Sequence, residues 1–371
     1  MKGGLYPRYA RPRLLEALSD TPVVLIHGPR QSGKTTLAME VAQASGYEYF
    51  SFDDDNLLAV AKEDPVGFVT GLPKRAVLDE VQRVPELFSS LKLSIDRDRR
   101  PGRFILTGSA NVLFFPKLSD SLAGRMEILR LYPLAQCEIA GTRSVFLNAL
   151  FSRDFRIAKY GLLGKDLAER IIAGGYPAAI TRVSGRRRRE WYRSYVETLV
   201  QRDVRDLARV SALDALPKLL ELAAGQTARL LNVSELASPF QLSRPTIRDY
   251  VSLLERIFVL DFLPPWHSNR MSRLVKTPKL HLGDTGLATA LLAADAAVLA
   301  KDRQLLGQLL ETFVYGELKR QASWHEDTFA FHHFRDKDGY EVDIVIQRAG
   351  DEIAGVEVKA AATIGEKDFR G

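Results

Sequence analysis

The sequence predicts an α/β protein: a parallel sheet with helices on both faces, then a helical region, then a small α+β region. Three observations carry this. Five short apolar stretches, TPVVLIHG, YEYFSFDD, RAVLDE, RFILTGS and RMEILRLY, are rich in β-branched and aromatic residues and read as strands. Helix-like stretches such as KTTLAMEVAQAS and PELFSSLKLSIDR lie between them, the alternation expected of parallel strands joined by crossovers. After LYPL the strands stop, residues from roughly 145 to 230 are mostly helical, and alternating strands return near Gly339.

At 371 residues and 46% apolar content, the chain can bury two or three cores of ordinary domain size. The single cysteine, Cys137, excludes an internal disulfide framework and a thiolate zinc cluster. MKGGLYPRYA lacks the apolar run of a signal peptide, and LATALLAADAAVLA is short for a bilayer span and contains Asp295. A soluble, cytoplasmic protein with no membrane partner is expected. The net charge of +6 is compatible with a polyanion partner without requiring one.

GPRQSGKTT places Gly28, Pro29, Arg30, Gln31, Ser32, Gly33, Lys34, Thr35 and Thr36 between a strand and a helix in the GxxxxGK[ST] pattern. Backbone N–H groups of such a loop wrap phosphates, and the helix N-terminus adds its positive end. Lys34 is expected on the β and γ phosphates and Thr35 on Mg²⁺, making ATP and Mg²⁺ the expected cofactors. AVLDE ends a buried strand with Asp79, suited to the magnesium shell, and Glu80, suited to polarising water.

The next strand, FILTGSA, lies between loop and acids and ends in Thr107 and Ser109. Ser109 reads as a catalytic sensor of the γ-phosphate or as a helix N-cap. Arg125 in SLAGR reads either as a catalytic arginine acting on a neighbouring molecule of a homo-oligomer, or as half of a surface ion pair.

In LNVSELASPFQLSRPTIRDYVSLLERIF, Ser234 and Ser243 are expected to cap two helices around the turn SPFQLS. Leu236, Leu242, Ile247, Val251 and Leu254 supply the buried face of a helix-turn-helix. The second helix then presents Arg244, Thr246 and Arg248, to double-stranded DNA or, as a lid, to protein. The run Arg186 to Arg189 reads as a phosphate contact or a solvated segment.

In the tail, Tyr340, Val342, Ile344 and Ile346 alternate with Glu341, Asp343, Val345 and Gln347. Ala354, Val356 and Val358 likewise alternate with Gly355, Glu357 and Lys359. A hairpin turning about Gly350 sets Asp343 opposite Glu357 and Glu341 opposite Lys359. Facing like charges destabilise. A divalent metal between Asp343 and Glu357, with Lys359 beside it, removes that penalty and suits phosphodiester hydrolysis. The alternative is a solvated face with both acids splayed into water.

The ordered set GPRQSGKTT, FSFDD, LDEVQRVPEL, ILTGSAN, SLAGR, RDV, the helix-turn-helix, KLHLGDTGLA, GEL and EVDIVI…GVEVK resembles AAA+-type P-loop ATPases with a winged helix and a C-terminal PD-(D/E)XK nuclease-like domain. The resemblance covers nearly the whole chain. It implies ATP binding and hydrolysis at Lys34, Thr35, Asp79 and Glu80. It also implies a nuclease-type fold around Asp343, Glu357 and Lys359, with Glu317 in GEL as the helix acid. The expected domains are an ATPase core over 1–140, a helical lid over 141–215, a winged helix over 216–272 and a nuclease-like domain over 273–371. Twelve residues follow Lys359, where the family continues with a further helix and strand, so the last domain is expected to be incomplete. The expected function is ATP hydrolysis coupled to DNA engagement, with a nuclease-like module. The rival is a nucleotide-gated DNA- or protein-binding regulator that cuts nothing.

Overall fold

The computed structural model describes residues 5–109, 122, 124–153, 155–156, 161, 163–204 (backbone alone at 202 and 203), 213–267, 277–336, 338–349 and 352–361. The chain forms two compact units. One runs through Leu134 and includes Arg256–Phe258; the other comprises Ala135–Glu255 and the residues from Val259 onward. The domain boundary expected at 272–273 lies outside the described residues.

The first unit runs α1 (Arg11–Asp20), β1 (Val23–His27), α2 (Lys34–Ser45), β2 (Glu48–Ser51), α3 (Asp55–Glu63), α4 (Pro65–Gly71), β3 (Ala76–Asp79), α5 (Leu87–Arg97), β4 (Phe104–Gly108) and β5 (Met126–Arg130). The strands form a five-stranded sheet in the order β2–β3–β4–β1–β5, every pair parallel. Alternation along β1 explains why both faces need cover. Val23 and Leu25 join a core with Leu78, Leu87, Phe88, Leu91 and Leu106, whereas Val24 and Ile26 join Leu14, Leu37, Val41, Val77 and Ile105 on the other face. Each such burial stabilises by roughly 1.5–3 kcal/mol. The sheet with helices on both faces is thus the expected architecture. The sequence reading does not single out α3 and α4, which start where Asp54 accepts from the N–H groups of Asn56 and Leu57, and Asp64 from that of Gly67.

The main elements of the second unit are α6 (Gly164–Ala173), α7 (Gly185–Thr198), α8 (Ala215–Gly225), β6 (Arg229–Leu230), α9 (Val233–Ala237), α10 (Arg244–Arg256), β7 (Leu260–Leu263), β8 (Lys279–Leu282), α11 (Thr285–Leu291), α12 (Arg303–Ala322), β9 (Phe329–Arg335), β10 (Glu341–Arg348) and β11 (Glu352–Val356). They build two antiparallel three-stranded sheets, β6–β8–β7 and β9–β10–β11. Leu147, Leu263, Tyr315, Leu318, Ile344 and Ile346 form the core under the second of these. Among the described residues, no helix is long and apolar enough to cross a membrane.

A local expectation changes. The first helix-turn-helix cap is Asn232, whose Oδ1 accepts from Glu235 N–H at 3.2 Å, and Ser234 lies inside the helix it was expected to start. Ser243 does cap α10, accepting from Thr246 N–H at 3.2 Å. Leu236, Ile247, Val251 and Leu254 are buried, while Arg244 and Arg248 are exposed. The arginine run opens α7, where Arg186 and Arg187 both pair with Glu190 on an exposed surface, the geometry of a solvated helix face.

Candidate functional site: a phosphate loop facing two acids

The loop leaves β1 at Gly28, where only a glycine fits: a Cβ there would run into the carbonyl oxygen of Leu131. Gln31 (φ 59°) and Gly33 (φ 96°) take left-handed backbone and swing the chain into α2. Pro29 and Ser32 are buried within the loop, Arg30 is half-buried, and Gln31 and Thr36 are exposed. Lys34 is buried, and its Nζ donates to the Pro29 carbonyl at 2.9 Å, so the ammonium lies folded over the loop. Ser32 Oγ is buried with no hydrogen-bond partner among the described residues.

From the first turn of α2, Thr35 Oγ1 donates to Asp79 Oδ1 at 3.0 Å. Asp79 also accepts from Tyr49 O–H at 2.7 Å and from Thr107 Oγ1. Burial and then the hydrogen bond to Asp79 push the Tyr49 phenol above its usual range, so it stays a donor. Glu80 follows at φ 58°, a strained conformation for a residue with a side chain. Its N–H donates to Thr107 Oγ1 at 3.1 Å, and its Oε2 accepts from Ser109 Oγ at 2.8 Å. Gln82 Nε2 donates to Ser109 Oγ at 3.0 Å and also to Glu80. Ser109 therefore holds the second acid in place. His27, at the root of the loop, is pushed down to about 3 by burial, then by Arg130 and Lys34, so it is neutral at ordinary pH. Arg125 lies in a two-pronged ion pair with Asp96, at 2.7 and 3.1 Å, the surface-pair geometry weighed for it.

The donor set fits a metal–triphosphate: it combines a glycine-lined cradle, a buried lysine, an unsatisfied buried hydroxyl and a hydroxyl–carboxylate pair. Of these groups, the sequence reading misses Tyr49 and Gln82. Their chain positions carry no motif; only the register of β2 on β3, pairing Tyr49 with Val77 and Ser51 with Asp79, brings the phenol to the acid.

In the second unit the hairpin register is the expected one. Ile344 faces Val356 and Arg348 faces Glu352, which continues to Asp343 opposite Glu357. The charges, however, are balanced differently. Asp343 is buried rather than splayed into water. Its Oδ2 accepts from Val358 N–H at 3.0 Å and its Oδ1 from Lys279 Nζ at 3.2 Å. Lys279 is 3% exposed and also pairs with Glu311 at 2.9 Å and Glu341 at 3.0 Å. Lys359 bonds Glu357 at 2.8 Å, while Glu341 pairs with Lys279, and Glu357 accepts from Asp343 N–H at 3.2 Å. Among the described residues, no group of three or more His, Cys, Asp and Glu side chains is arranged to hold a metal.

The helix acid also changes. Glu311, not Glu317, shares a partner with Asp343; six residues on, Glu317 points to a different side of α12. Glu317 is bonded to Arg320 at 2.9 Å and accepts from Gln136 N–H at 2.9 Å. Arg320 in turn reaches Asp284, which accepts from the N–H groups of Gly175, Gly286 and Leu287 and from Tyr192 O–H. Glu317 belongs to this buried structural network. Burial, then Asp343 and Glu341, push Glu311 up to about 8 against the opposing pull of Lys279. A lysine inside the apolar strand KLHL is the readable signal, because a buried lysine requires carboxylate partners.

An AAA domain profile matches residues 20–140, and two domains of unknown function match 164–297 and 306–371. Uncharacterized proteins of Mycobacterium tuberculosis and Mycobacterium bovis are each 30% identical over 358 residues, 96% of this chain and 74% of the relative. The chain belongs to the family of these mycobacterial proteins. In this member, the AAA match and the five-stranded parallel sheet make the first unit an AAA-type P-loop ATPase fold. Among solved structures, a Walker-type ATPase of Pyrococcus abyssi aligns with a TM-score of 0.49 and 14% identity, over 77% of this chain and 96% of that one.

Proposed function

We propose that the protein binds ATP with Mg²⁺ and hydrolyses it, using the cycle to govern engagement of double-stranded DNA. The observation that carries the first part is the Thr35–Asp79 contact, which brings the helix after the phosphate loop onto the acid that ends β3. In this reading the loop from Gly28 to Thr36 holds the phosphate chain, Lys34 neutralises its terminal charges, and Thr35 and Asp79 hold the metal. The bound metal–nucleotide supplies an activated terminal phosphate. Glu80, steadied by Ser109 and Thr107, orients water towards it and accepts the proton. Lys34→Ala tests the assignment: steady-state ATP hydrolysis should vanish, and undiminished turnover rejects the site.

The DNA part rests on the arrangement α8–β6–α9–α10–β7–β8 with its small antiparallel sheet, which supports a winged helix that runs past the expected limit of 272 to include β8 (Lys279–Leu282) as its central strand. Arg244 and Arg248 are then the phosphate contacts. For the last domain, the buried cluster favours a recognition or structural role over cleavage, because Lys279 already neutralises Asp343. The metal-dependent nuclease reading requires Asp343 and Glu357 to exchange these partners for a cation. Incubating intact protein with double- and single-stranded DNA across Mg²⁺ and Mn²⁺ separates the two. Metal-dependent scission lost in Asp343→Ala supports the nuclease, and binding without scission supports the regulator.

A further inference from the structure

Arg8 precedes α1 and belongs to no motif, yet its guanidinium bridges two backbone carbonyls beside the phosphate loop. Nη1 donates to Ser32 O at 2.6 Å and Nη2 to Tyr132 O at 2.7 Å. The first acceptor lies within the loop, immediately before Gly33. The second lies just beyond β5, one residue after Leu131, whose carbonyl already presses on Gly28. The loop is therefore gripped at both ends by the same short segment, at Gly28 through close packing and at Ser32 through Arg8. A side chain at Gly33 would sit 3.4 Å from Arg8 Nη1, so the guanidinium lies against the turn that launches α2.

We infer that Arg8 is a positioning residue that pre-shapes the phosphate loop for a nucleoside triphosphate and so sets nucleotide affinity. The physical reason is conformational. Gln31 and Gly33 hold left-handed backbone, and the loop is joined to the sheet at Gly28, where its N–H bonds Gly108 O at 3.3 Å. Without a tether at Ser32, such a loop samples shapes whose N–H groups do not converge, and binding must order it first. A guanidinium with two donors locked on two carbonyls removes that cost in advance. Lysine has the charge but not the planar fork, so it replaces the bridge only in part. The inference rests on the nucleotide reading of the same site.

The test measures a fluorescent ATP analogue on the full chain by titration, with amide exchange of the nucleotide-free protein as an independent readout. Arg8→Ala should weaken the analogue tenfold or more, speed exchange across residues 30–33, and raise KM while leaving kcat within twofold. Arg8→Lys should recover part of the affinity. If Arg8→Ala fails to fold, Arg8→Gln, which keeps one donor, gives the same comparison. Affinity and loop exchange within twofold of the parent in Arg8→Ala, while Lys34→Ala loses the analogue, overturn the role of Arg8 alone. An analogue bound equally well by Lys34→Ala overturns the nucleotide site itself.

Discussion

Lys279 Nζ lies 3.2 Å from Asp343 Oδ1, and this contact, with those to Glu311 and Glu341, gathers three carboxyl groups around one buried ammonium. Removing the cation strands the acids in a low-dielectric site. Lys279→Met is expected to destabilise the second unit by about 3–5 kcal/mol, the usual cost of breaking a buried ion pair from one side. Urea unfolding followed by far-UV circular dichroism measures this. A loss below about 1 kcal/mol would mean that the acids are better solvated than their burial implies.

The same cluster predicts a pH dependence. Glu311 is pushed up to about 8 in the folded protein from an ordinary value of 4.5. Between those values the folded state holds a proton that the unfolded chain has released, so stability falls as pH rises from about 4.5 to 8 and levels off above. Glu311→Gln should flatten that segment of a Tm-against-pH profile. A profile with the same slope in the variant assigns the proton to another group.

The two units differ in how much of them a reader of the sequence can see. In the first, the GxxxxGK[ST] pattern follows β1, an acidic pair ends β3, and local periodicity marks the strands, so the loop and Asp79–Glu80 are legible. Tyr49 and Arg8 are not, because their roles arise only when distant backbone is brought alongside. In the tail, alternation sets the register that puts Asp343 against Glu357, but does not say what neutralises them. That cation comes from β8, 64 positions earlier than Asp343, and no local pattern carries such a distance. Glu317 reads as the helix acid for the same reason: both glutamates lie on α12, and only the packed helix reveals which faces the hairpin.

Glu80→Gln should separate binding from chemistry. The amide keeps the shape and a partner for Ser109 but cannot take a proton, so kcat for ATP should fall about 10²–10⁴-fold. Affinity for a fluorescent ATP analogue should stay within a fewfold of the parent. Near-parental turnover would remove Glu80 from the mechanism.

Gly28→Ala tests the packing of the loop. Its methyl would run into Leu131 O, and backbone must move to admit it. A loss of about 1–3 kcal/mol in thermal or urea unfolding of the first unit is expected, with loss of nucleotide binding. Parental binding would show that the root of the loop tolerates displacement.

For the helix-turn-helix, the double change Arg244→Ala/Arg248→Ala should weaken binding to any double-stranded DNA sequence. It should also reduce the slope of log K against log salt by about 2, one for each phosphate no longer neutralised. Fluorescence anisotropy across a salt series gives that slope. An unchanged slope would turn attention to a protein partner for α10.

The strand order has its own consequence. Because β4 separates β1 from β3, the two strand axes that end in the loop and in the acids stand about 10 Å apart, two inter-strand spacings. The sheet thus acts as a ruler: its width sets the distance that Thr35 spans by leaning from α2 to Asp79.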